Sequence, residues 1–256
     1  MYKEIFISLC TRFISPPILP SDTSYNFSRE IFIVHAGGVI SKNIYTNSKE
    51  SALNSLKNGF KYIEFDLLTT KDNHIIAAHD WNSISKNNIP LSLNDVIEIY
   101  KNKDITLLTG KDIYELMLKN EDWILITDKI RDFSLLEREI PLKNRIIVEV
   151  FNKFDYAVCL WKGFTPAYSL PWDSKKLKLD GFTAEWYTVS GIAWDKKQSS
   201  LLKYIKNLRS QNKEVLLYTA GKPSPIDMES DKFIEENIII YFSKIYTDMN
   251  CSFTHM

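Results

Sequence analysis

Short apolar segments alternate with amphipathic segments along most of this chain. Ile31–Val34 is almost continuously apolar, as expected for a strand that is buried on both faces. The same pattern predicts further strands at Tyr62–Leu68, Ile75–Ala78, Trp123–Thr127, Arg145–Val150, Val215–Tyr218 and Ile245–Thr247. Apolar residues at helical spacing predict helices at Ser48–Gly59, Leu93–Tyr100, Asp112–Leu118 and Leu201–Leu208.

One stretch of the chain has no unique pattern. Between Tyr156 and Trp186, three segments each have the composition of a strand, and the sequence leaves the choice among them open. They are Val158–Trp161, Ala167–Leu170 and Phe182–Ala184.

The alternation of strands and helices is typical of βα units around a parallel sheet. No repeat, low-complexity tract or linker rich in proline and glycine divides the 256 residues. A single α/β barrel typically has about 250 residues. We therefore predict the α/β class, with one closed (β/α)8 TIM-type barrel over residues 31–256. Residues 1–30 are predicted to form an N-terminal arm with no assigned role.

The composition limits the classes of partner. The 32 basic and 32 acidic side chains cancel to a net charge of zero, which argues against a nucleic-acid partner because such binding needs an excess of Lys and Arg. No apolar run approaches the roughly 20 residues of a membrane span, so no transmembrane segment is predicted. Cys10, Cys159 and Cys251 are scattered, which favours reduced thiols and a cytoplasmic location. The oligomeric state stays open.

Polar side chains stand at the ends of four predicted strands. In an α/β barrel the carboxyl ends of the strands converge on one rim, and this rim carries the active site. The spacing of Glu64 and Asp66 in the second strand places both carboxylates on one face. The complete set along the chain is His35, Glu64, Asp66, His79, Asp128 and Lys129.

The carboxylates indicate a cation site. Two like charges buried on one face of a strand are costly unless a partner neutralises them. Oxygen ligands favour Mg²⁺ or Ca²⁺ over zinc, so we predict one divalent cation on Glu64, Asp66 and Asp128. The alternative is a salt bridge from these carboxylates to Lys129 or Arg145.

The remaining polar residues suggest proton transfer and ligand binding. A lone histidine is more often a structural hydrogen-bonding residue, but His35 and His79 at neighbouring strand ends favour a catalytic pair. Gly37 allows close approach of the backbone to a ligand. Lys129 either neutralises an anionic substrate or is an ordinary solvated lysine. Glu149 interrupts an apolar strand, which suggests a supporting role beneath the site.

Several motifs together resemble those of the glycerophosphodiester phosphodiesterases. The family starts with His-Arg-Gly, where this chain has His-Ala-Gly at residues 35–37. Residues 47–50 resemble its Glu-Asn-Thr-like segment, and residues 59–66 match Gly-x-x-x-Ile-Glu-x-Asp. The family's Thr-Lys-Asp-Gly and His-Asp motifs correspond to residues 70–73 and 79–80. Tyr218-Thr219 and residues 244–248 resemble later motifs of the family. The resemblance therefore extends from about residue 31 to about residue 248.

The resemblance implies a barrel enzyme that cleaves a phosphodiester next to a glycerol-like alcohol, with two histidines and one divalent metal ion. Carried over residue by residue, His35 and His79 become the acid/base pair. Glu64, Asp66 and Asp128 become the metal ligands. We add four residues as candidates for substrate or phosphate binding, namely Lys129, Gly37, Asn47 and Glu149.

The chain departs from the family pattern at three positions. Ala36 replaces the arginine that follows the first histidine and contacts phosphate in the family. The Glu-x-Lys spacing of the family is shortened to Asp128-Lys129. Asn73 replaces a turn glycine, which is tolerable because Asn accepts left-handed backbone geometry. These changes indicate a divergent branch in which phosphate binding is rearranged.

The predicted function is therefore metal-dependent hydrolysis of a small-molecule, glycerophosphodiester-type substrate to a glycerol phosphate and an alcohol. His35 is preferred as the base and His79 as the acid. Two alternatives stay open: a barrel that binds a phosphorylated or carbohydrate ligand without turning it over, and a lyase-like transfer that stops at a cyclic phosphate. The identity of the alcohol is not determined by the sequence.

Overall fold

The computed structural model describes residues 29–40, 43, 45–85, 87–171, 182–191, 199–218 and 241–247. Ten strands lie within these residues. They are β1 (Phe32–Val34), β2 (Tyr62–Phe65), β3 (Leu67–Thr69), β4 (Ile75–Ala77), β5 (Ile124–Thr127), β6 (Ile146–Val150), β7 (Thr165–Ser169), β8 (Trp186–Ser190), β9 (Glu214–Tyr218) and β10 (Lys244–Thr247). All except β3 and β4 form one closed parallel barrel, which runs β1-β2-β5-β6-β7-β8-β9-β10 and back to β1. The predicted (β/α)8 barrel is confirmed.

Helices connect these strands and cover the barrel. They are α1 (Lys49–Lys57), α2 (Leu93–Tyr100), α3 (Gly110–Lys119), α4 (Phe133–Glu139), α5 (Lys153–Trp161) and α6 (Ser199–Ser210). The four helices predicted from apolar spacing correspond to α1, α2, α3 and α6. The Ser48 hydroxyl caps α1, and Thr109 with Asp112 forms a capping box at the start of α3.

One predicted barrel strand lies outside the barrel. The segment at Ile75–Ala77 pairs antiparallel with Leu67–Thr69, and the two form a separate hairpin. Only five residues separate these strands, whereas a parallel pair needs a crossover of a dozen residues or more. Asn73 in the hairpin turn has φ 60°, the left-handed geometry expected of it. The prediction of β4 as a third barrel strand is therefore wrong, and β5 takes that place.

The ambiguous stretch before Trp186 is resolved by the structure. Val158–Trp161 belongs to helix α5, and Ala167 lies in strand β7. The segment at Phe182–Ala184 is not a strand but leads into β8, which starts at Trp186. Periodicity could not separate these cases because short apolar runs occur both in buried helices and in buried strands.

The barrel interior changes from apolar to polar toward the carboxyl ends of its strands. An apolar layer fills the middle and consists of Ile33, Ile126, Ile147, Ala167, Leu216 and Tyr246. Since side chains of a strand alternate, the residues two positions further along point into the same interior. Those residues are His35, Asp128, Glu149, Ser169 and Tyr218. The strand alternation thus stacks a polar layer on the packed core.

Some predictions fall at the limits of the described residues. Of the predicted N-terminal arm, only residues 29 and 30 are described, and they belong to a short 3-10 turn before β1. Cys10 and Cys251 lie outside the described residues, as do the motif positions 219 and 248. Cys159 is a buried free thiol, and burial raises its pKa to about 12. None of the helices within the described ranges has the length and apolar character needed to cross a membrane.

Candidate active site

A pocket of about 150 Å³ opens at the carboxyl ends of the barrel strands. Its lining side chains come from β2, β6, β9 and β10, from the end of β5 and from the segment after β4. The residue directly after β1 also lines it. Seven of the residues predicted from the sequence line this one pocket: His35, Glu64, Asp66, His79, Asp128, Lys129 and Glu149. The barrel therefore brings together side chains that are separated by up to 114 positions in the chain.

Three carboxylates form a compact acidic cluster in the pocket. Glu64, Asp66 and Asp128 each present an oxygen atom, and these atoms lie within 4.8 Å of one another. Burial, together with the charges of Asp66 and Asp128, raises the pKa of Glu64 well above its ordinary value. Burial and the neighbouring Asp66 also raise the pKa of Asp128 to about 7. The protein therefore holds negative charge here at an energetic cost.

Lys129 neutralises only part of this charge. Its ammonium lies 2.7 Å from Asp66 Oδ1 and also donates a hydrogen bond to the backbone carbonyl of His79. The salt bridge considered as the alternative to a cation site is thus present for Lys129. It is absent for Arg145, whose guanidinium donates to the carbonyls of residues 117, 120 and 121.

The donor set fits a divalent cation in spite of this salt bridge. One ammonium cannot balance three carboxylates, and the described residues provide no hydrogen-bond partner for the buried Asp128 Oδ1. All ligand atoms are hard carboxylate oxygens, which suit Mg²⁺ or Ca²⁺. The acidic triad is therefore able to hold one divalent cation.

His35 lies deep in the pocket and is fixed by aromatic rings. Its side chain is 13% exposed, and its Nε2 lies 3.9 Å from Glu64 Oε2. The ring of Tyr45 contacts it edge-on at 4.7 Å between centroids, and the ring of Tyr246 at 5.8 Å. The next residue, Ala36, has φ 48° and donates its backbone N–H to Glu64 Oε2 at 2.8 Å. Left-handed geometry is uncommon for alanine, and here it aims this N–H at the carboxylate.

His79 lies at the opening of the pocket. It follows the β3–β4 hairpin, and its side chain is 55% exposed. Its Nδ1 forms a hydrogen bond of 2.8 Å with Asp80 Oδ2, and this bond lowers the pKa of Asp80 below its ordinary value. Asp80 also accepts the backbone N–H of Ser83, so the carboxylate that orients the imidazole is itself held in place.

Two residues predicted to bind substrate have other contacts. Gly37 lies beneath the pocket, where an added Cβ would come within 2.3 Å of Ser51 Oγ and 2.5 Å of Phe65. The glycine is thus required by packing against α1 and β2. Asn47 is buried and binds Asp66 twice: its amide donates to Asp66 Oδ2, and its oxygen accepts the Asp66 backbone N–H, both at 3.0 Å. Neither is among the pocket-lining residues, and their contact with substrate stays a prediction.

Glu149 lies on β6, which pairs with β5 and so stands next to the acidic cluster in the strand order. It is 7% exposed, and its Oε1 accepts the Thr188 hydroxyl at 2.6 Å. Burial raises its pKa, although hydrogen bonds from Thr188 and Ser169 act in the other direction. The hydroxyl groups of β7 and β8 thus hold this carboxylate in place at the wall of the pocket.

Aromatic residues complete the wall, and none of them is among the site residues predicted from the sequence. Tyr45, Phe151, Tyr218 and Tyr246 all line the pocket. The alternation of side chains along a strand could have predicted Tyr218, because it lies two positions after Leu216, which faces the barrel interior. Assigning it required the register between strands, which only the closed barrel provides.

Part of the chain is similar in sequence to a known protein family. Residues 39–130 match the model of the Glycerophosphoryl diester phosphodiesterase family. No curated protein sequence matches the chain. The matched segment contains the acidic cluster, His79 and Lys129, whereas His35 and Glu149 lie outside it.

Similar solved structures share the barrel over most of the chain. A glycerophosphodiester phosphodiesterase from Thermotoga maritima has a TM-score of 0.65 at 16% identity, covering 86% of this chain and 94% of its own. One from Parabacteroides distasonis has a TM-score of 0.62 at 17% identity, with coverage of 86% and 94%. A phosphodiesterase from Oleispira antarctica, solved with the product sn-glycerol-3-phosphate, has a TM-score of 0.60 at 14% identity, with coverage of 85% and 92%.

These comparisons agree with the fold and with the phosphodiesterase class predicted from the sequence. Because the identities are only 14–17%, the structural matches establish the fold alone. The family match applies only to residues 39–130. Residues 39–130, which supply most of the polar side chains of the pocket, are therefore similar to the glycerophosphoryl diester phosphodiesterase family.

Proposed function

We propose that this protein hydrolyses a small phosphodiester of the glycerophosphodiester type to a glycerol phosphate and an alcohol. One observation carries the proposal: two histidines from separate parts of the chain line the same pocket as three clustered carboxylates. A pocket that only binds a ligand has no need for two proton-transfer groups beside a cation site.

The cofactor is proposed to be one Mg²⁺ or Ca²⁺ ion on Glu64, Asp66 and Asp128. Bound there, the ion supplies positive charge to the phosphoryl oxygens, whose negative charge otherwise repels a nucleophile. Asn47 keeps Asp66 in position, and the Ala36 N–H does the same for Glu64. Lys129, already paired with Asp66, extends the positive charge toward the substrate.

The two imidazoles are proposed to move the protons. His35, enclosed by Tyr45 and Tyr246, accepts the proton of the attacking oxygen. His79, at the exposed opening and oriented by Asp80, donates a proton to the leaving alcohol, which departs toward solvent. Acid/base assistance of this kind is worth about 10²- to 10⁴-fold in rate for each group.

The test is turnover by the purified protein. Glycerophosphodiesters of choline, ethanolamine and inositol are incubated with Mg²⁺ or Ca²⁺, and product is followed by phosphorus NMR. We expect a glycerol phosphate to form, EDTA to stop the reaction, and His35→Ala and His79→Ala each to lower kcat by about 10²-fold or more. His74→Ala is the matched control, since His74 lies outside the pocket-lining residues and contacts Glu139 at 3.4 Å.

Other results would replace the proposal. A cyclic phosphate as the final product would establish the lyase-like transfer. Ligand-dependent thermal stabilisation without product would establish a binding barrel, an idea that the absence of an arginine at residue 36 motivates. Full activity of His35→Ala would reject the assigned role of that histidine. The cytoplasmic location suggested by the scattered cysteines stays a prediction.

A further inference from the structure

Tyr246 has an unusual position among the inward-facing residues of the barrel. It lies in β10, which pairs with β1 on one side and β9 on the other, and it belongs to the apolar middle layer. Its ring packs edge-on against His35 at 5.8 Å and against Tyr218 at 6.1 Å. The other members of the layer are aliphatic, so packing alone does not require a hydroxyl group at this position.

The hydroxyl of Tyr246 is buried at the pocket. The residue is 4% exposed, and no described group forms a hydrogen bond with its Oη. Another buried tyrosine of the barrel shows the usual arrangement, because Tyr187 Oη accepts the Ala184 backbone N–H at 2.7 Å. An unsatisfied buried polar group is destabilising, so this hydroxyl needs an explanation.

The surroundings of this hydroxyl point to the pocket. Tyr246 lines the pocket. The charges of Glu149, Glu64 and Asp128 are close enough to affect the pKa of its hydroxyl. Burial first, and then these charges, raises the pKa of Tyr246 well above its ordinary value, so the group stays an O–H donor. All three neighbours are acceptors, yet none is paired with it. A donor in this place is complementary to an acceptor that enters the pocket.

Among the described residues, two candidate donors for a phosphoryl group are already engaged within the protein. Ala36, which stands at the arginine position of the resembled family, offers only a backbone N–H, and Glu64 takes it. The Lys129 ammonium is held by Asp66 and by the His79 carbonyl. We infer that Tyr246 binds the substrate directly, with its Oη donating a hydrogen bond to a phosphoryl oxygen of the phosphodiester. This inference rests on the proposed function.

The test compares wild-type protein with Tyr246→Phe, which removes one oxygen atom and keeps the ring. Calorimetric titration with sn-glycerol 3-phosphate in the presence of Mg²⁺ measures binding, and kcat/KM is measured for the phosphodiester that turns over best. Because the variant loses a hydrogen bond to a charged oxygen, we expect the affinity for sn-glycerol 3-phosphate and the kcat/KM each to fall about 10- to 100-fold. The melting temperature should stay the same or rise, because an unpaired buried hydroxyl is removed.

Tyr62→Phe is the matched control. Tyr62 starts β2 at the opposite end of the barrel, with the Lys244 ammonium 4.0 Å from its ring centroid, and its hydroxyl has no part in the pocket. This variant should bind and turn over like wild type.

The outcomes separate the inference from the proposed function. Wild-type activity with equal affinity and turnover in Tyr246→Phe overturns the inference alone. A marked fall in melting temperature also overturns it, since the hydroxyl would then have a partner inside the protein. A wild-type protein that neither binds sn-glycerol 3-phosphate nor turns over any phosphodiester overturns both.

Discussion

The backbone N–H of Ala36 donates a hydrogen bond of 2.8 Å to Glu64 Oε2. Through this contact the residue after the first histidine holds a carboxylate instead of presenting a cationic side chain. Glu64 is 4% exposed and forms a cluster with two further carboxylates, Asp66 and Asp128. The site therefore groups three acidic side chains with one ammonium, that of Lys129, beside them.

Glu64→Gln should stabilise the metal-free protein and abolish its response to a cation. The amide keeps an oxygen for the Ala36 N–H and removes an acid whose ionised form is disfavoured by burial and by Asp66 and Asp128. In EDTA the melting temperature should rise by about 2–4 °C for each kcal/mol gained. Added Mg²⁺ or Ca²⁺ should stabilise wild type but not the variant. Equal stabilisation of both proteins by the cation would contradict the assignment of Glu64 as a ligand.

Lys129→Ala should destabilise the protein most when no cation is bound. The substitution leaves Asp66, whose side chain is 6% exposed, without its 2.7 Å ammonium partner. A bound divalent cation offsets that loss, so the fall in melting temperature should be smaller with Mg²⁺ than with EDTA. Lys61→Ala serves as the control, because the Lys61–Glu30 pair is exposed and should contribute little. A fall that is the same in both conditions would argue against a cation next to Asp66.

Gly37→Ala should destabilise the fold severely, in contrast to Gly163→Ala. Both glycines have left-handed φ, 78° and 85°, so both substitutions strain the backbone. A Cβ on Gly37 also meets Ser51 Oγ at 2.3 Å and Phe65 at 2.5 Å, whereas the nearest atom to a Cβ on Gly163 lies at 3.7 Å. We expect about 1–2 kcal/mol of lost stability for Gly163→Ala and more than about 3 kcal/mol for Gly37→Ala, from urea unfolding. Similar losses in the two variants would show that the neighbours of Gly37 rearrange easily.

Asp112→Asn should reduce stability at neutral pH but not in acid. Partial burial of Asp112 is outweighed by hydrogen bonds from Lys49 and Thr109, so the pKa of this carboxyl is lowered on folding. A lowered pKa contributes stability above the unfolded value near 4, and this contribution is lost as the pH falls through the folded value. The expected loss at pH 7 is about 1 kcal/mol. Urea unfolding of both proteins between pH 7 and pH 2 should converge at the acid end, and a constant difference would refute the ionic contribution.

Much of the fold followed from local pattern. The apolar runs at β1, β5, β6 and β9 and the helices α1, α2, α3 and α6 lie where periodicity predicted them. Side-chain alternation and helical spacing are properties of the chain itself. The hairpin of β3 and β4 was assigned to the barrel instead, since an isolated apolar triplet has the same composition in either setting. The five-residue connection between β3 and β4 is too short for a parallel pair, so it predicts that the pairing is antiparallel.

The chemistry of the site divides along the same line. By itself the sequence determined the polar residues at the strand ends, because a charged side chain in an apolar run stands out without any partner. Only the tertiary structure decided the contacts at the site: Lys129 pairs with Asp66, and Asn47 supports Asp66. Tyr246 brings to the pocket a hydroxyl that has no partner among the described residues. The physical reason is barrel closure. β10 comes to lie beside β1, more than 200 residues earlier in the chain, and no local pattern encodes which side chains then meet.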